Sequence, residues 1–454
     1  MKSMQMQMDL GTLDNTRRDG SVDEIIAVRL SESPTGEDRL MEMICERENM
    51  LKALKRVESN KGKPGVDGMK TTQLRKYVKR HWDKVKRALM DGAHKPFPVR
   101  RVEIPKDGGG IRLLGIPTVL DRLIQQAIAQ VLTAIWDHTF SEYSYGFRPN
   151  RSQHMAISQA RCYVEEGYTH VVDIDLSKFF DRVHHDRLMH RLATRIRDKR
   201  VLKIIRAYLN SGVMVEGVNV KTGEGTPQGG PLSPLLANIV LDELDKELEK
   251  RGLRFVRYAD DVAIYVRSQK AAERVKRSVS RFITRKLKLV VNEEKSKVTR
   301  PWHSKYLGFR ITKFMGKTRI GVHEKSLRRF NCRVREITRR KRGRSLKCIV
   351  WELNQFLRGW TAYYRLGTSK TLAKELDHWI RRRLRAYVWK QWKIPKARVR
   401  NLKARGVRHK WAMLAGNARK GEWRMSNNSS VGHALPDTYF TRSFGLVLIG
   451  QSCQ

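Results

Sequence analysis

Residues Leu253 to Val266, LRFVRYADDVAIYV, constrain the fold of this chain more than any other stretch. Two short runs rich in Phe, Val, Ile and Tyr flank Tyr258-Ala259-Asp260-Asp261. Residues of this kind favour strands, and the Ala-Asp pair between them fits a tight turn, so the spacing predicts an antiparallel hairpin. Such a hairpin holds Asp260 and Asp261 side by side on a rigid tip. Adjacent carboxylates repel, and a hard divalent cation bound through oxygen relieves the repulsion. With a third carboxylate from another strand, the group would hold two Mg²⁺, activating a hydroxyl and stabilising a leaving pyrophosphate. An isolated Asp-Asp pair is as readily a solvated turn. The rest of the chain decides.

The third carboxylate comes from His170 to Phe180, HVVDIDLSKFF, which reads as a strand. Asp173 and Asp175 lie two apart, so a regular strand shows both on one face, and periodicity does not choose between them. Upstream, Arg100 to Pro117 reads as a hairpin whose DGGG turn is flanked by Lys106 and Arg112, both able to reach a triphosphate. The helix that follows carries a core stripe from Leu123 to Trp136. Ser144 to Ser152, SYGFRPNRS, interleaves aromatics with Arg148 and Arg151, a composition that suits stacked bases and phosphates. Gly223 to Leu236 is a Gly/Pro-rich loop entering a helix near Ser233 and Pro234, with Gln228 offering an amide beside a base pair. Beyond the central hairpin the pattern predicts a helix over 271–287, a strand over 289–291, the segment Asn292 to Lys295, and a strand over 305–309. This order of elements predicts an α+β palm with the carboxylates on one sheet.

Charge selects the partner. The 454 residues hold 93 Lys plus Arg against 46 Asp plus Glu, a net charge of +47. A field of that size favours a polyanion, with nucleic acid ahead of an anionic membrane surface because no apolar run is long enough to span a bilayer. Between residues 321 and 420 there are 30 Lys plus Arg against 5 Asp plus Glu, and seven of the ten tryptophans fall between 351 and 423. That region reads as a helical domain with an aromatic core, holding most of those tryptophans, and a basic outer face that makes many salt-sensitive phosphate contacts. The five cysteines are far apart and form no CxxC pair, which points to a reducing, cytoplasmic location without disulfides or a zinc site. Residues 1–38 have weak periodicity and read as a loose extension.

In chain order, the segments GKPGVDG, RRVEIPKDGGGIRLLGIPTVLDR, YSYGFRPNRS, VVDIDLSKFFDRVHHDRL, GTPQGGPLSPLLANI, RYADDVAIY, VNEEKSKV and KYLGF resemble the successive fingers and palm motifs of group II intron-encoded reverse transcriptase/maturases of bacterial type. LNQFLRGWTAYYRL and WIRRRLRAYVWKQW are similar to the maturase-specific thumb of that family. The resemblance implies a right-hand polymerase, α+β, with a ferredoxin-like palm, an all-helical basic thumb and a short DNA-binding tail. Its expected divisions are an extension over 1–38, fingers over 39–165, palm over 166–323, thumb/maturase domain over 324–395, and a basic DNA-binding region over 396–454. It also implies site residues. The catalytic aspartate of the family precedes an aromatic-Asp pair by five residues; the pair here is Phe180-Asp181, which implies Asp175 as metal ligand beside Asp260 and Asp261. Phe180 would underlie the incoming sugar and exclude a 2′-hydroxyl, Lys106 and Arg112 would meet the triphosphate, Gln228 would line the nascent pair, and Lys295 lies near the position of a general acid for pyrophosphate. Arg148, Arg151, Arg358, Arg381, Arg382 and Arg383 are the expected nucleic-acid contacts. The implied partners are the intron RNA, a DNA target and primer, and dNTPs. The tail after 425 holds one Cys and one His, Cys453 and His433, so the expectation is that no endonuclease domain is present. The competing readings are a splicing cofactor without polymerase activity and a reverse transcriptase of another bacterial system. The intact carboxylates oppose the first, and the LRGW and RRRLR segments oppose the second.

Overall fold

A computed structural model describes residues 39–105, 111–215, 218–220 and 229–451. The chain divides after Arg300 into two compact units.

In the first unit, short helices α1 (Leu40–Ile44), α2 (Arg47–Ser59) and α3 (Thr71–Met90) gather around α4 (Val119–Trp136). The expected stripe of α4 is buried, and its buried set wraps most of the helix, so α4 is the central rod of this part. Its start is fixed by Thr118, which accepts from the Asp121 backbone N–H while donating to the Asp121 carboxylate at 2.6 Å. Gly65, in the Gly/Pro-rich loop after α2, lies so close to this cap that a methyl group there would stand 2.6 Å from the Thr118 Cα. That loop is therefore a packed connector.

The hairpin expected over 100–117 forms as β1 (Val99–Pro105) and β2 (Ile111–Ile116), antiparallel from Arg100↔Ile116 to Pro105↔Ile111. β1 also pairs in parallel with β4 (Val213–Val215), which pairs with β5 (Val218–Val220). A second four-stranded sheet carries the carboxylates. Its order is β6 (Arg254–Tyr258), β7 (Asp261–Val266), β3 (His170–Ile174), β8 (Lys297–Thr299), all antiparallel. Helices α5 (Gln153–Glu165), α8 (Ser233–Lys250) and α9 (Gln269–Phe282) pack on its strands, while α6 (His185–Ala193) lies against α7 (Lys199–Leu209) and α8. The helix expected to reach 287 does so through a π-type turn over Ile283–Leu287. The strand expected over 289–291 is a single bridge, Val291 with Leu176, and the edge strand is β8 instead. A lone apolar triplet cannot show which of two adjacent segments reaches the sheet edge.

The second unit opens with a hairpin, β9 (Phe309–Phe314) and β10 (Lys317–Val322). The strand expected over 305–309 is a turn, because Leu307 and Gly308 have φ of 50° and 82°. Gly308 also abuts Tyr364, whose hydroxyl would be 2.6 Å from an added Cβ, so only glycine fits there. Helices α10 (Glu324–Ile337), α11 (Leu346–Tyr364) and α12 (Lys370–Gln391) form the body. Ser345 and Ser369 cap α11 and α12, and Phe330, Trp360 and Tyr364 stack in sequence between α10 and α11 with ring centroids 4.5 and 5.0 Å apart. α13 (Pro395–Lys403), α14 (His409–Gly416), α15 (Glu422–Met425), α16 (Ser429–Ala434) and α17 (Asp437–Phe444) complete the unit. The final segment returns to the body, where Asp377 of α12 accepts from the backbone N–H groups of Ile449 and Gly450, each at 2.9 Å.

The expectation of a tryptophan-rich core holds for part of the set. Trp360, Trp389 and Trp392 are buried and Trp379 is half-buried, but Trp351, Trp411 and Trp423 are exposed.

Candidate functional site

The central hairpin closes as its sequence demands. Tyr258 pairs with Asp261, leaving Ala259 and Asp260 as the two turn residues. Ala259 has φ of 57°, a left-handed conformation unfavourable for a residue with a Cβ, so surrounding groups must hold it. β3 lies beside β7, with Asp173 opposite Ala263 and Ile174 opposite Val262. Asp175 directly follows this last pair and Asp261 directly precedes Val262, so both carboxylates lie at the same end of the paired strands. Asp173 falls two residues deeper along the strand, away from the turn. The backbone of Asp175 is pinned on both sides: its N–H donates to Ser296 Oγ at 3.0 Å, and its carbonyl accepts from Asn292 N–H at 2.8 Å. Lys295 Nζ stands 3.9 Å from Asp175 Oδ2. Both side chains are solvent-accessible, so the pair contributes little to stability.

The groups that hold the turn were not visible in the sequence. Arg257, in β6 next to the tetrapeptide, is fully buried and pairs with fully buried Asp245 of α8, Nε to Oδ1 at 2.7 Å. Its other donors reach Asn238 Oδ1 at 2.9 Å, the Ala259 carbonyl at 3.0 Å and Ser144 Oγ at 2.7 Å. One guanidinium thus ties α8, the 141–148 loop and the strained turn residue together, with its fork geometry satisfied. Asn238 in turn donates to the Gly146 carbonyl at 2.8 Å. Gly146 presses on the turn: a methyl group there would collide with the Ala259 nitrogen and stand 2.9 Å from the Tyr258 carbonyl carbon. The sequence signal for this clamp was Arg257 directly after the apolar pair Phe255-Val256 in a strand, since a buried cation there needs partners.

Arg148, expected at a nucleic-acid surface, is a second buried arginine. Its donors go to the Asp137 carboxylate at 2.7 Å and to the carbonyls of Asp137, Ser141 and Ser144. Four of its five N–H donors are spent on these internal acceptors and the side chain is buried, so the expectation of a surface contact is corrected. The short polar loop around it leaves carbonyls that only an internal cation can satisfy. Arg151 is half-buried, 5.7 Å above the Tyr145 ring, and donates to the Glu142 carbonyl at 3.2 Å. Phe180 follows Lys178, whose φ of 50° turns the chain back, and is half-buried with its ring edge-on to Phe179 at 5.2 Å. Lys106 and Gln228 lie outside the described residues; Arg112 is in β2, with its side chain undescribed.

In the second unit Arg358 is exposed on α11. Arg381 is directed to Asp437, with Nε 2.9 Å from Oδ1. Arg382 lies 4.1 Å above the Trp423 ring. Arg383 and Arg335 stand 5.4 and 5.9 Å from the Trp379 ring. Arg383 donates to Thr338 Oγ1 at 2.6 Å, and burial, aided by the like charges of Arg335 and Arg340, lowers its pKa to about 10.

Asp175, Asp260 and Asp261 are oxygen donors of the kind a hard divalent cation takes, gathered at one end of one sheet. Among the described residues no group of three His, Cys, Asp or Glu converges on a single point, so a bound ion would have to draw these side chains inward. No described helix is long and apolar enough to cross a membrane.

An antiparallel sheet with carboxylates at its turn and adjoining strand end is the arrangement expected of a polymerase of the reverse-transcriptase class. Residues 104–311 match the family model for reverse transcriptase (RNA-dependent DNA polymerase), and residues 327–406 match the group II intron maturase-specific domain. The chain belongs to the group II intron-encoded reverse transcriptase/maturase family. It is 34% identical to Protein YkfC of Escherichia coli K12 over 300 residues, covering 57% of this chain and 79% of that protein. It is also 34% identical to the group II intron-encoded protein LtrA of Lactococcus lactis over 241 residues, covering 53% of this chain and 38% of that protein. A solved partial Cas6-RT-Cas1–Cas2 complex aligns with a TM-score of 0.34 and 25% identity, covering 55% of this chain and 43% of that one.

Proposed function

We propose that this reverse transcriptase/maturase binds its parent group II intron RNA to promote splicing and then copies that RNA at a DNA target by target-primed reverse transcription. The observation that supports the proposal is that Asp175 directly follows the last β3–β7 pair, Ile174↔Val262, at the strand end where Asp261 and Asp260 lie, inside a segment matching the reverse-transcriptase family. Reverse transcriptases depend on divalent metal; here two Mg²⁺, held by Asp175, Asp260 and Asp261, would supply Lewis-acid activation of the primer 3′-hydroxyl and charge neutralisation at the α-phosphate. The chain's own part is positional. The Arg257 clamp fixes the turn, Ser296 and Asn292 fix the Asp175 backbone, and Lys295 brings a cation to 3.9 Å from Asp175, where a leaving pyrophosphate needs charge and a proton. Lys106, Arg112 and Gln228 would hold the dNTP and nascent pair, with Phe180 excluding a 2′-hydroxyl. We read residues 39–165 as fingers, 166–323 as palm, 324–395 as thumb and 396–454 as the DNA-binding region. Arg151, Arg358, Arg381, Arg382 and Arg383 would serve the nucleic acid.

Primer extension on an RNA template with dNTPs and Mg²⁺ tests the proposal, wild type beside Asp260→Asn/Asp261→Asn. Extension by wild type alone, with intron-RNA binding equal in both proteins, is the expected result. Loss of RNA binding together with extension in the double variant would refute the separation of roles, and extension by both would remove the metals from the hairpin.

A further inference from the structure

The helical pair α13–α14 is built like a surface meant to be covered. Packing between the two helices is tight on the inner side, where a Cβ on Gly416 would stand 3.1 Å from the Val399 nitrogen and 3.4 Å from the Pro395 carbonyl oxygen. Ala412, Ala415 and Gly416 form that buried side. The outer side of α14 is apolar as well. Trp411 and Leu414, three residues apart and hence on one face, are 55% and 59% exposed, and Met413 next to them is 41% exposed. Ile394, 59% exposed, immediately precedes α13, whose first residue touches the C-terminal end of α14. Between Trp392 and Gly421 the chain has ten Lys plus Arg and no Asp or Glu. Lys393, Lys396, Arg400, Arg408 and Lys410 among them are exposed.

We propose that Trp411 and Leu414 form a stacking platform for unpaired bases of a single-stranded polynucleotide, with the surrounding cations holding its phosphates. This rests on the reading of 396–454 as a nucleic-acid-binding region and adds the kind of strand and contact. Charge complementarity carries the choice. An exposed indole within thirty residues that hold ten cations and no anion matches the alternation of base and phosphate along a single strand. A duplex hides its base faces and offers such a ring nothing to stack on. A membrane-lying helix needs a longer continuous apolar face, and three residues of this eight-residue helix are already buried within the unit.

The test is equilibrium binding of a fluorescent dT 20-mer, and of a 20-bp duplex, to the full chain over a salt series. Trp411→Ala/Leu414→Ala is compared with wild type and with Trp411→Phe. Stacking predicts that the double variant loses about tenfold or more in single-strand affinity. The slope of log affinity against log salt should stay the same, because no phosphate contact is removed. Duplex affinity should change less than twofold, and Trp411→Phe should keep most of the wild-type affinity. Equal losses on both probes, a shallower salt slope in the double variant, or single-strand affinity equal to wild type would overturn the proposal. So would loss of binding to phosphatidylglycerol vesicles with oligonucleotide binding unchanged, which would make the surface a lipid contact. Extension of a pre-annealed primer by wild type is measured alongside, and its absence would count against the polymerase and not against the platform.

Discussion

The two units use arginine in opposite ways. In the unit over 39–300, Arg148 and Arg257 sit inside motifs and are buried, and their donors are spent on carbonyls and carboxylates. In the unit over 301–451, Arg382 and Arg383 lie against tryptophan faces, and Arg358 is exposed. The first pattern makes backbone geometry stiff, because a buried cation without its partners is costly. The second keeps cations on aromatic faces and, at Arg358, open to solvent. A polymerase needs both, one for carboxylates held in place and the other for a long polyanion bound reversibly. An arginine inside a motif is therefore not by itself a phosphate contact.

The sharpest division of labour lies between the carboxylates and the exposed cations. Asp175→Asn should lower primer extension on the order of a thousandfold or more, since a metal ligand acts on the transition state itself. Its RNA affinity should match wild type. Asp173→Asn, two residues deeper along β3, should keep most of the extension rate, and an equal collapse would move the site. Arg358→Ala should do the reverse, weakening RNA binding across sequences and reducing the salt slope by about one while single-turnover extension stays intact.

The buried arginines should respond in stability. Arg257→Met strands Asp245 in the interior, at a cost of about 3–5 kcal/mol, seen as a lower denaturant midpoint. Arg257→Met/Asp245→Leu should recover much of the stability and little of the activity, because the Ala259 carbonyl and Ser144 would remain without their donor. Recovery of both would reduce the clamp to packing. Gly146→Ala should separate the two effects further. The added methyl pushes on the Ala259 backbone, so extension should fall more steeply than stability, with a higher Mg²⁺ concentration needed for half-maximal rate.

Much of this was legible before any coordinates. The hairpins over 100–117 and 253–266, the helix stripe of α4 and the strand that leads to Asp175 follow from period-two and helical patterning, which are local properties. Spacing alone does not choose between Asp173 and Asp175, because the choice depends on which of them lies beside the Asp260-Asp261 turn, a property of strand pairing. The clamp was hidden for the same reason: Arg257, Asp245, Asn238 and Ser144 are scattered over more than a hundred residues and meet only in the fold. Tryptophan burial was legible only in part. Composition counts aromatic residues but does not say which side of a helix a short connector leaves uncovered, and Trp411 is on such a side.

The smallest predicted effect concerns how the second unit holds its cations in reserve. Glu422 accepts from Lys390 Nζ at 2.8 Å and from Arg340 Nη1 at 2.9 Å, and the Lys390 hydrogen bond holds its carboxyl below the usual carboxylate range against the opposing effect of burial. A carboxyl with a depressed folded-state pKa contributes stability that is full above its unfolded value and is lost as pH falls through the folded one. Glu422→Gln should therefore destabilise the protein at pH 7 by at most about 1 kcal/mol, and the difference from wild type should vanish in acid, below the carboxylate range. At pH 7 the same substitution releases two cations, so RNA affinity should rise and its salt dependence should steepen. Affinity unchanged at neutral pH would mean that Lys390 and Arg340 face away from the nucleic acid, and would confine the basic surface to the side of the unit that carries α13 and α14.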